Sequence, residues 1–242
     1  MISSVGLERL VDIQEVSGPN PLSHTYIMPM NILGIFVGFL FMLGCIGLGT
    51  LCLKLKLVQP LTSRKIIHIG VSHWWLIAMV FFTNIWAALV VPVAFIFINI
   101  AALKMKFFTA MDDPSRPHNF GTVYFPISLS ILTALCWGGV LPIAVGGAAM
   151  LVLGWSDGLA AVVGRATHVG EFQVWGRTKS LAGIGTMLLT SVAVLLAFNV
   201  SPVVILWLAP LVTVVELFTP LGLDNLTVPA TVALALGVIQ WI

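Results

Sequence analysis

Long apolar runs, broken at short intervals by polar connections, set the pattern of this chain. Eight segments stand out: 30–53, 66–82, 85–102, 122–137, 141–163, 181–200, 202–217 and 226–242. Their lengths scatter around the roughly 20 residues that a helix needs to cross a bilayer core. None alternates with period two. Helices are therefore expected rather than the strands of a closed barrel, the other structure that satisfies its own backbone in lipid. The expected fold is all-α: a polytopic transmembrane helix bundle of about eight spans, with seven to nine compatible with the length. Residues 30–242 read as a single transmembrane domain. Residues 1–29 read as a polar tail, mixing Glu8, Arg9, Asp12 and Glu15 with Ser and Pro. The tail lacks the basic start, apolar run and small-residue cleavage site of a signal peptide, and suits an exposed tail or short surface helix.

The polar connections differ in charge. Lys54, Lys56, Arg64, Lys65, Lys104, Lys106, Arg116, Arg165, Arg177 and Lys179 fall in or beside the first, third and fifth connections; Arg9 is the one basic residue elsewhere. The second, fourth and sixth connections carry none. Lys and Arg are retained in cytoplasmic loops, so the odd connections are expected in the cytoplasm and both termini outside or in a lumen. The seventh connection, 218–225, falls on the cytoplasmic side too. It has no basic residue, but it contains Asp224 and follows Glu216.

Composition agrees. Of 242 residues, 59% are hydrophobic and 8% charged, against roughly 25% charged in soluble domains. This excludes a soluble protein and leaves no length for a separate soluble domain. The cations are confined to loops, so no nucleic-acid partner is expected. Cys45, Cys52 and Cys136 lie in or beside apolar segments without CxxC spacing and read as buried small side chains. Pro92, Pro126 and Pro229 can kink their helices, and Gly146-Gly147, Gly183 and Gly185 suit close helix contact.

Four polar constellations fall on the expected cytoplasmic side. Arg64-Lys65-x-x-His68 opens the second segment. On a helix, His68 neighbours both cations, and a helix start also favours anions; positive-inside anchoring explains the two cations but not His68. Asn119-Phe120-Gly121-Thr122-Val123-Tyr124 enters the fourth segment, offering close backbone approach and two hydroxyls, or else an interfacial anchor. Gly154-Trp155-Ser156-Asp157-Gly158 places a carboxylate inside an apolar helix, where an ionisable group is expensive and functional by default. Its glycines leave room for a ligand or metal, and a structural pairing with Arg165 is the alternative. Gly164-Arg165 and Gly176-Arg177-Thr178-Lys179-Ser180-Leu181-Ala182-Gly183 follow, with a helix start and cations suited to phosphate. Last, Glu216 and Asp224-Asn225 bracket the seventh connection. With Asp157 they supply hard oxygen ligands suited to Mg²⁺ carrying a nucleotide, or else solvated helix ends. A Walker A sequence is absent, as are a zinc-type Cys/His cluster and a Ser-His-Asp set.

Arg64-Lys65-x-x-His68, Gly121-Thr122-x-Tyr124, Asp157-Gly158 with Gly164-Arg165, Lys179-Ser180-x-x-Gly183, and Glu216 with Asp224-Asn225 occur in the order seen in the polyprenol kinase family, which the chain resembles from about residue 62 to 230. That family includes dolichol, phytol and CTP-dependent diacylglycerol kinases. The resemblance implies an integral membrane kinase moving the γ-phosphoryl group of a nucleoside triphosphate, commonly CTP, to a lipid alcohol drawn from the bilayer. Asp157, Glu216, Asp224 and Asn225 are then expected around Mg²⁺. Arg64, Lys65, Arg177, Lys179, Ser180, Gly183, Thr122 and Tyr124 are expected around the nucleotide. Asp157, His68 and Glu216 are the candidate catalytic groups, with the proton acceptor open between His68 and a carboxylate. Trp155-Ser156 departs from the family's frequent Gly-Asp. Ala182 stands where the diacylglycerol and dolichol branches often carry Glu, which points towards an isoprenoid alcohol such as phytol or farnesol. A CTP-dependent phosphatidate cytidylyltransferase-like enzyme and a transporter are the alternative readings.

Overall fold

The computed structural model describes residues 21–105 and 120–239. In chain order its helices are α1 (Pro21–Lys54), α2 (Pro60–Ser72), α3 (Trp74–Phe81), α4 (Ile85–Met105), α5 (Gly121–Trp137), α6 (Ile143–Leu151), α7 (Gly158–Thr167), α8 (Leu181–Ala197), α9 (Pro202–Phe218) and α10 (Asp224–Ile239). A π-helical segment, Val152–Asp157, joins α6 to α7 without a break. Each of the eight apolar segments is thus helical over most of its described residues; α2 and α3 share one of them, and α6, the π segment and α7 another. Three stretches, Pro29–Lys54, Ile85–Met105 and Ile143–Thr167, are long and apolar enough to cross a membrane, and four shorter apolar helices accompany them. Lys106, Arg116, Asn119, most of the polar tail (1–20) and the chain's end (240–242) lie outside the described residues.

Three local features differ from expectation. Helix α1 starts at Pro21, inside the segment expected as a polar tail. Helix α2 starts at Pro60, six residues early, because a proline at the first helical position needs no N–H partner. The Gln59 carbonyl accepts from the amides of Thr62 and Ser63, so Arg64 and Lys65 lie in the body of the helix and not at its anion-favouring start. The third feature is a small antiparallel hairpin, β1 (Glu171–Val174) and β2 (Arg177–Ser180), in a fold otherwise all-α among the described residues. Its turn residues, Trp175 and Gly176, both have positive φ, 50° and 70°, as a two-residue type I′ turn requires.

The π segment and its flanking helices form the axis of the bundle. In the most apolar window of Ile143–Thr167, 72% is buried, against 28% for the comparable windows of α1 and α4. Helices α2, α8 and α10 pack around this axis, while α1 packs on α2, α3 and α4, and α4 on α5. Trp74, Trp75, Phe95, Leu129, Met150 and Leu153 are fully buried. The Trp75 indole N–H donates to the Ile143 carbonyl at 3.0 Å, so a large ring is buried without stranding its polar atom. The outer surface is apolar: Leu206 is 80% exposed, with Trp86 and Val203 close behind. Such a surface belongs in lipid, and the protein is an integral membrane protein.

Lipid supplies no hydrophobic driving force between helices, so close van der Waals contact must hold them together. The glycines around Asp157 serve that contact. A Cβ on Gly154 would lie 2.2 Å from Ser72 Oγ, and one on Gly158 would lie 2.4 Å from Ile69 Cγ1. Both contacts are to α2. The room expected there for a ligand or metal is filled by a neighbouring helix. Gly164 meets Ser180 Oγ in the same way, at 2.7 Å. Gly158→Ala should therefore cost about 1–3 kcal/mol of stability through overpacking. Adding Ile69→Ala should recover most of that loss, since the next atom, Lys65 O, is 3.8 Å away. Thermal unfolding in detergent checks both variants; additive losses would contradict the packing account.

Candidate active site

Helix α2 presents Arg64, Lys65 and His68 towards the axis, where the close Gly154 and Gly158 contacts hold it against the π segment. Asp157 is the last residue of that segment. A π turn inserts an extra residue into the helical repeat and re-aims the side chains that follow; such turns recur at functional sites. Lys65 Nζ donates to Asp157 Oδ2 at 2.5 Å, and His68 Nε2 lies 3.6 Å from the same oxygen. The alternative partner, Arg165, instead donates through Nε to the Ala161 carbonyl at 2.8 Å and through Nη2 to that of Leu61 at 3.4 Å.

The hairpin supplies the second set of cations. Arg177 and Lys179 are two residues apart on β2 and share a face. Lys179 Nζ donates to Glu216 Oε1 near the end of α9. Arg177 Nη1 donates to the Thr219 carbonyl at 2.8 Å. Both cations thus tie β2 to the end of α9. Ser180 ends the strand and caps α8, its Oγ accepting from the Gly183 amide at 3.1 Å. The Leu181 and Ala182 amides donate to the carbonyls of Gly170 and Val169. The first amides of α8 are therefore bonded within the protein, which leaves the anion-binding capacity of this helix start to its side chains. The cations beside it remain placed for that work.

Asp157, Glu216 and Asp224 are all buried, and one ligand oxygen from each lies within 4.8 Å of the others. Two lysines face the three carboxylates. Asp224 makes no ion pair with any described residue; its Oδ1 accepts from the Asn225 amide at 3.1 Å and from Asn225 Nδ2 at 3.2 Å. Buried charges are paired or coordinate a metal. A cluster of carboxylate oxygens with one carboxylate unpaired fits a hard divalent cation such as Mg²⁺.

These groups line a cavity of about 320 Å³, within the ordinary range of small-molecule sites. Arg64, Lys65, Arg165, Arg177 and Lys179 contribute positive charge, and Asp157, Glu171, Glu216 and Asp224 negative charge; Ser180 and Gly183 form part of the wall. Glu171 was not among the expected site residues, and Arg165 and Thr178 stood in expected motifs without an assigned role at nucleotide or metal. The hairpin brings Glu171 and Thr178 in, and its sequence signal was short: Phe172 and Val174 alternating with polar neighbours ahead of Trp175-Gly176.

Other expected residues lie elsewhere. His68, Thr122 and Asn225 line a smaller cavity of about 50 Å³ that shares Arg64 and Lys65 with the larger one. Asn225, expected as a metal ligand, donates through Nδ2 to the Gly222 carbonyl and to Asp224, steering that carboxylate. Tyr124, expected at the nucleotide, lines neither cavity, and its ring lies 6.3 Å from that of Phe120.

Fold and site together describe an integral membrane enzyme with a buried, cation-flanked carboxylate cluster. A phytol kinase from Synechocystis sp. is 32% identical to the chain over 191 residues, covering 75% of this chain and 80% of the relative. The chain belongs to the polyprenol kinase family. No protein-family model and no solved structure matches it.

Removing one partner of a buried ion pair strands the other, at about 3–5 kcal/mol, while removing both is far milder. Lys179→Met should therefore lower thermal stability more than the Lys179→Met/Glu216→Gln double substitution. A double variant less stable than Lys179→Met, measured in the same detergent, would show that the pair does not carry that burden.

Proposed function

We propose that the protein is a lipid-alcohol kinase that transfers the γ-phosphoryl group of a nucleoside triphosphate, CTP by family analogy, to an isoprenoid alcohol of the phytol type. The observation that carries this reading is the convergence of Asp157, Glu216 and Asp224 with Lys65, Lys179, Arg64 and Arg177 on one cavity. Phosphoryl transfer rests on positioning and charge neutralisation more than on covalent chemistry, and this side-chain set supplies both. Membership of a family that includes a phytol kinase supports the class of acceptor, as does Ala182.

In this reading Lys65, Lys179, Arg64 and Arg177 bind the triphosphate, with Arg165 on the same wall. Asp157, Glu216 and Asp224 would hold Mg²⁺, which when bound offsets the charge of the phosphate oxygens and orients them. The alcohol oxygen forms a bond to the γ-phosphorus as the bond to the β-bridging oxygen breaks, releasing the nucleoside diphosphate. His68 lies 3.6 Å from Asp157 and lines the smaller cavity next to the shared Lys65, which suits it to take the alcohol's proton. The lysine–carboxylate pairs hold the cations in place before nucleotide arrives. All eight apolar segments would cross the bilayer as one domain, with the site at the cytoplasmic side, where the basic loops are retained.

Asp157→Asn should lower transfer by about a hundredfold or more, as loss of a charge-stabilising group does, while the protein keeps its fold. Wild-type activity in that variant would sink the role. The purified protein given CTP labelled at the γ position should yield labelled lipid, and CTP labelled at the α position should not. The reverse pattern identifies a nucleotidyltransferase. Chelation of divalent cations should stop the reaction and Mg²⁺ should restore it.

A further inference from the structure

The smaller cavity lies among α1, α2, α4, α5 and the start of α10, separated from the larger one by Arg64 and Lys65. Its wall is mixed. Ile67, Val71, Phe95 and Phe125 are buried apolar groups. Between them stand four buried polar atoms with no hydrogen-bond partner among the described residues: Asn99 Oδ1, Thr122 Oγ1, Asn225 Oδ1 and His68 Nε2, the last 3.6 Å from Asp157 Oδ2. Both amide orientations are fixed by what the nitrogens do. Asn99 Nδ2 donates to the Thr122 carbonyl at 2.9 Å, and Asn225 Nδ2 donates to Gly222 O and Asp224 Oδ1, so each amide oxygen is left over. A buried polar atom without a partner costs about 1–3 kcal/mol, and such atoms are rare in native structures. Four on one cavity of about 50 Å³ form a set that asks for a donor.

We propose that this cavity seats the hydroxyl end of the acceptor, a primary alcohol on an apolar chain. The inference rests on the kinase reading and deepens it. An alcohol O–H can donate to one of these acceptors, an amide oxygen or the imidazole, while its oxygen accepts from the Thr122 hydroxyl. The volume takes a hydroxymethyl group and the carbons next to it, not an isoprenoid tail. The tail would leave past Met42 and Ile46 along α1, a helix largely open to lipid. Lys65 faces both cavities, so a hydroxyl seated here meets a γ-phosphate held on the other side. Thr122, Asn99 and Asn225 are then binding residues for the alcohol, which gives the Gly121-Thr122 motif a role that the nucleotide cavity does not.

Thr122→Val removes the hydroxyl at nearly constant volume. Because that hydroxyl has no partner among the described residues, the variant should unfold at the same temperature as wild type or a higher one. Its KM for phytol or farnesol, assayed with Mg²⁺ and CTP, should rise about threefold to tenfold, the worth of one hydrogen bond. Its KM for CTP should stay within about twofold, and Thr122→Ser should restore the KM for the alcohol. Phytyl methyl ether, which lacks the O–H, should compete about tenfold or more less well than an unreactive analogue that keeps its hydroxyl. An unchanged KM for the alcohol in Thr122→Val, with wild-type kinase activity intact, overturns this inference alone and leaves a water-filled cavity. Equal competition by the ether overturns it likewise. A wild-type protein that phosphorylates neither alcohol, nor any other lipid alcohol, overturns the function on which it rests.

Discussion

Three carboxylates within 4.8 Å of one another in the buried part of a membrane protein set the terms for everything around them. Charge repulsion and lost hydration both oppose such a cluster, and low-dielectric surroundings make each worse. The chain answers with two lysines brought from distant segments, Lys65 from α2 and Lys179 from β2, each bonded to one carboxylate. Among the described residues Asp224 has only Asn225 as a hydrogen-bond donor. At the cluster itself two lysines face three acids, a local shortfall that an incoming divalent cation would make good, and the guanidinium groups along the wall suit the phosphates it would carry.

Much of the local architecture follows from the need to deliver those lysines. Lys65 reaches Asp157 because α2 lies almost in backbone contact with the central axis, and it does so because residues 154 and 158 have no side chain. Lys179 reaches Glu216 because a hairpin of two four-residue strands presents Arg177 and Lys179 on one face and Arg177 pins that face to the Thr219 carbonyl. Ser180 then turns the strand into α8, using its own hydroxyl and the backbone of 169–170 to satisfy the helix's first amides. The cavity is left with charged side chains as its working surface and few free backbone donors.

The helical segments were legible in the sequence because hydropathy alone marks them; residues 85–105 and 202–218 differ from expectation by at most three residues. The gathering of Asp157, Glu216 and Asp224 with Lys65 and Lys179 was legible too, since charge in so apolar a chain has few reasons to exist. Three features were not. The π segment leaves no mark in hydropathy. The hairpin is too short for its alternation to register, and its turn carries Trp175 where Asn or Asp is usual. The glycines beside Asp157 look the same in sequence whether they admit a ligand or a helix, and only the position of α2 decides between the two. Asn99 was missed because a single amide in an apolar helix reads as a tolerated polar residue; the orphaned oxygens around it give it meaning.

The larger and smaller cavities meet at Lys65, one charged and one largely apolar, as a reaction between a water-soluble phosphate donor and a membrane-held acceptor requires. The charged side depends on the carboxylate cluster acting as a cation site. Electron paramagnetic resonance of Mn²⁺ added to the detergent-solubilised protein with a non-hydrolysable CTP analogue measures that directly. The account predicts saturable binding that is lost, or weakened by more than tenfold, when Asp224 is replaced by Asn while the protein stays folded. Binding to the Asp224→Asn variant as tight as to wild type, or no protein-dependent binding at all, would contradict it.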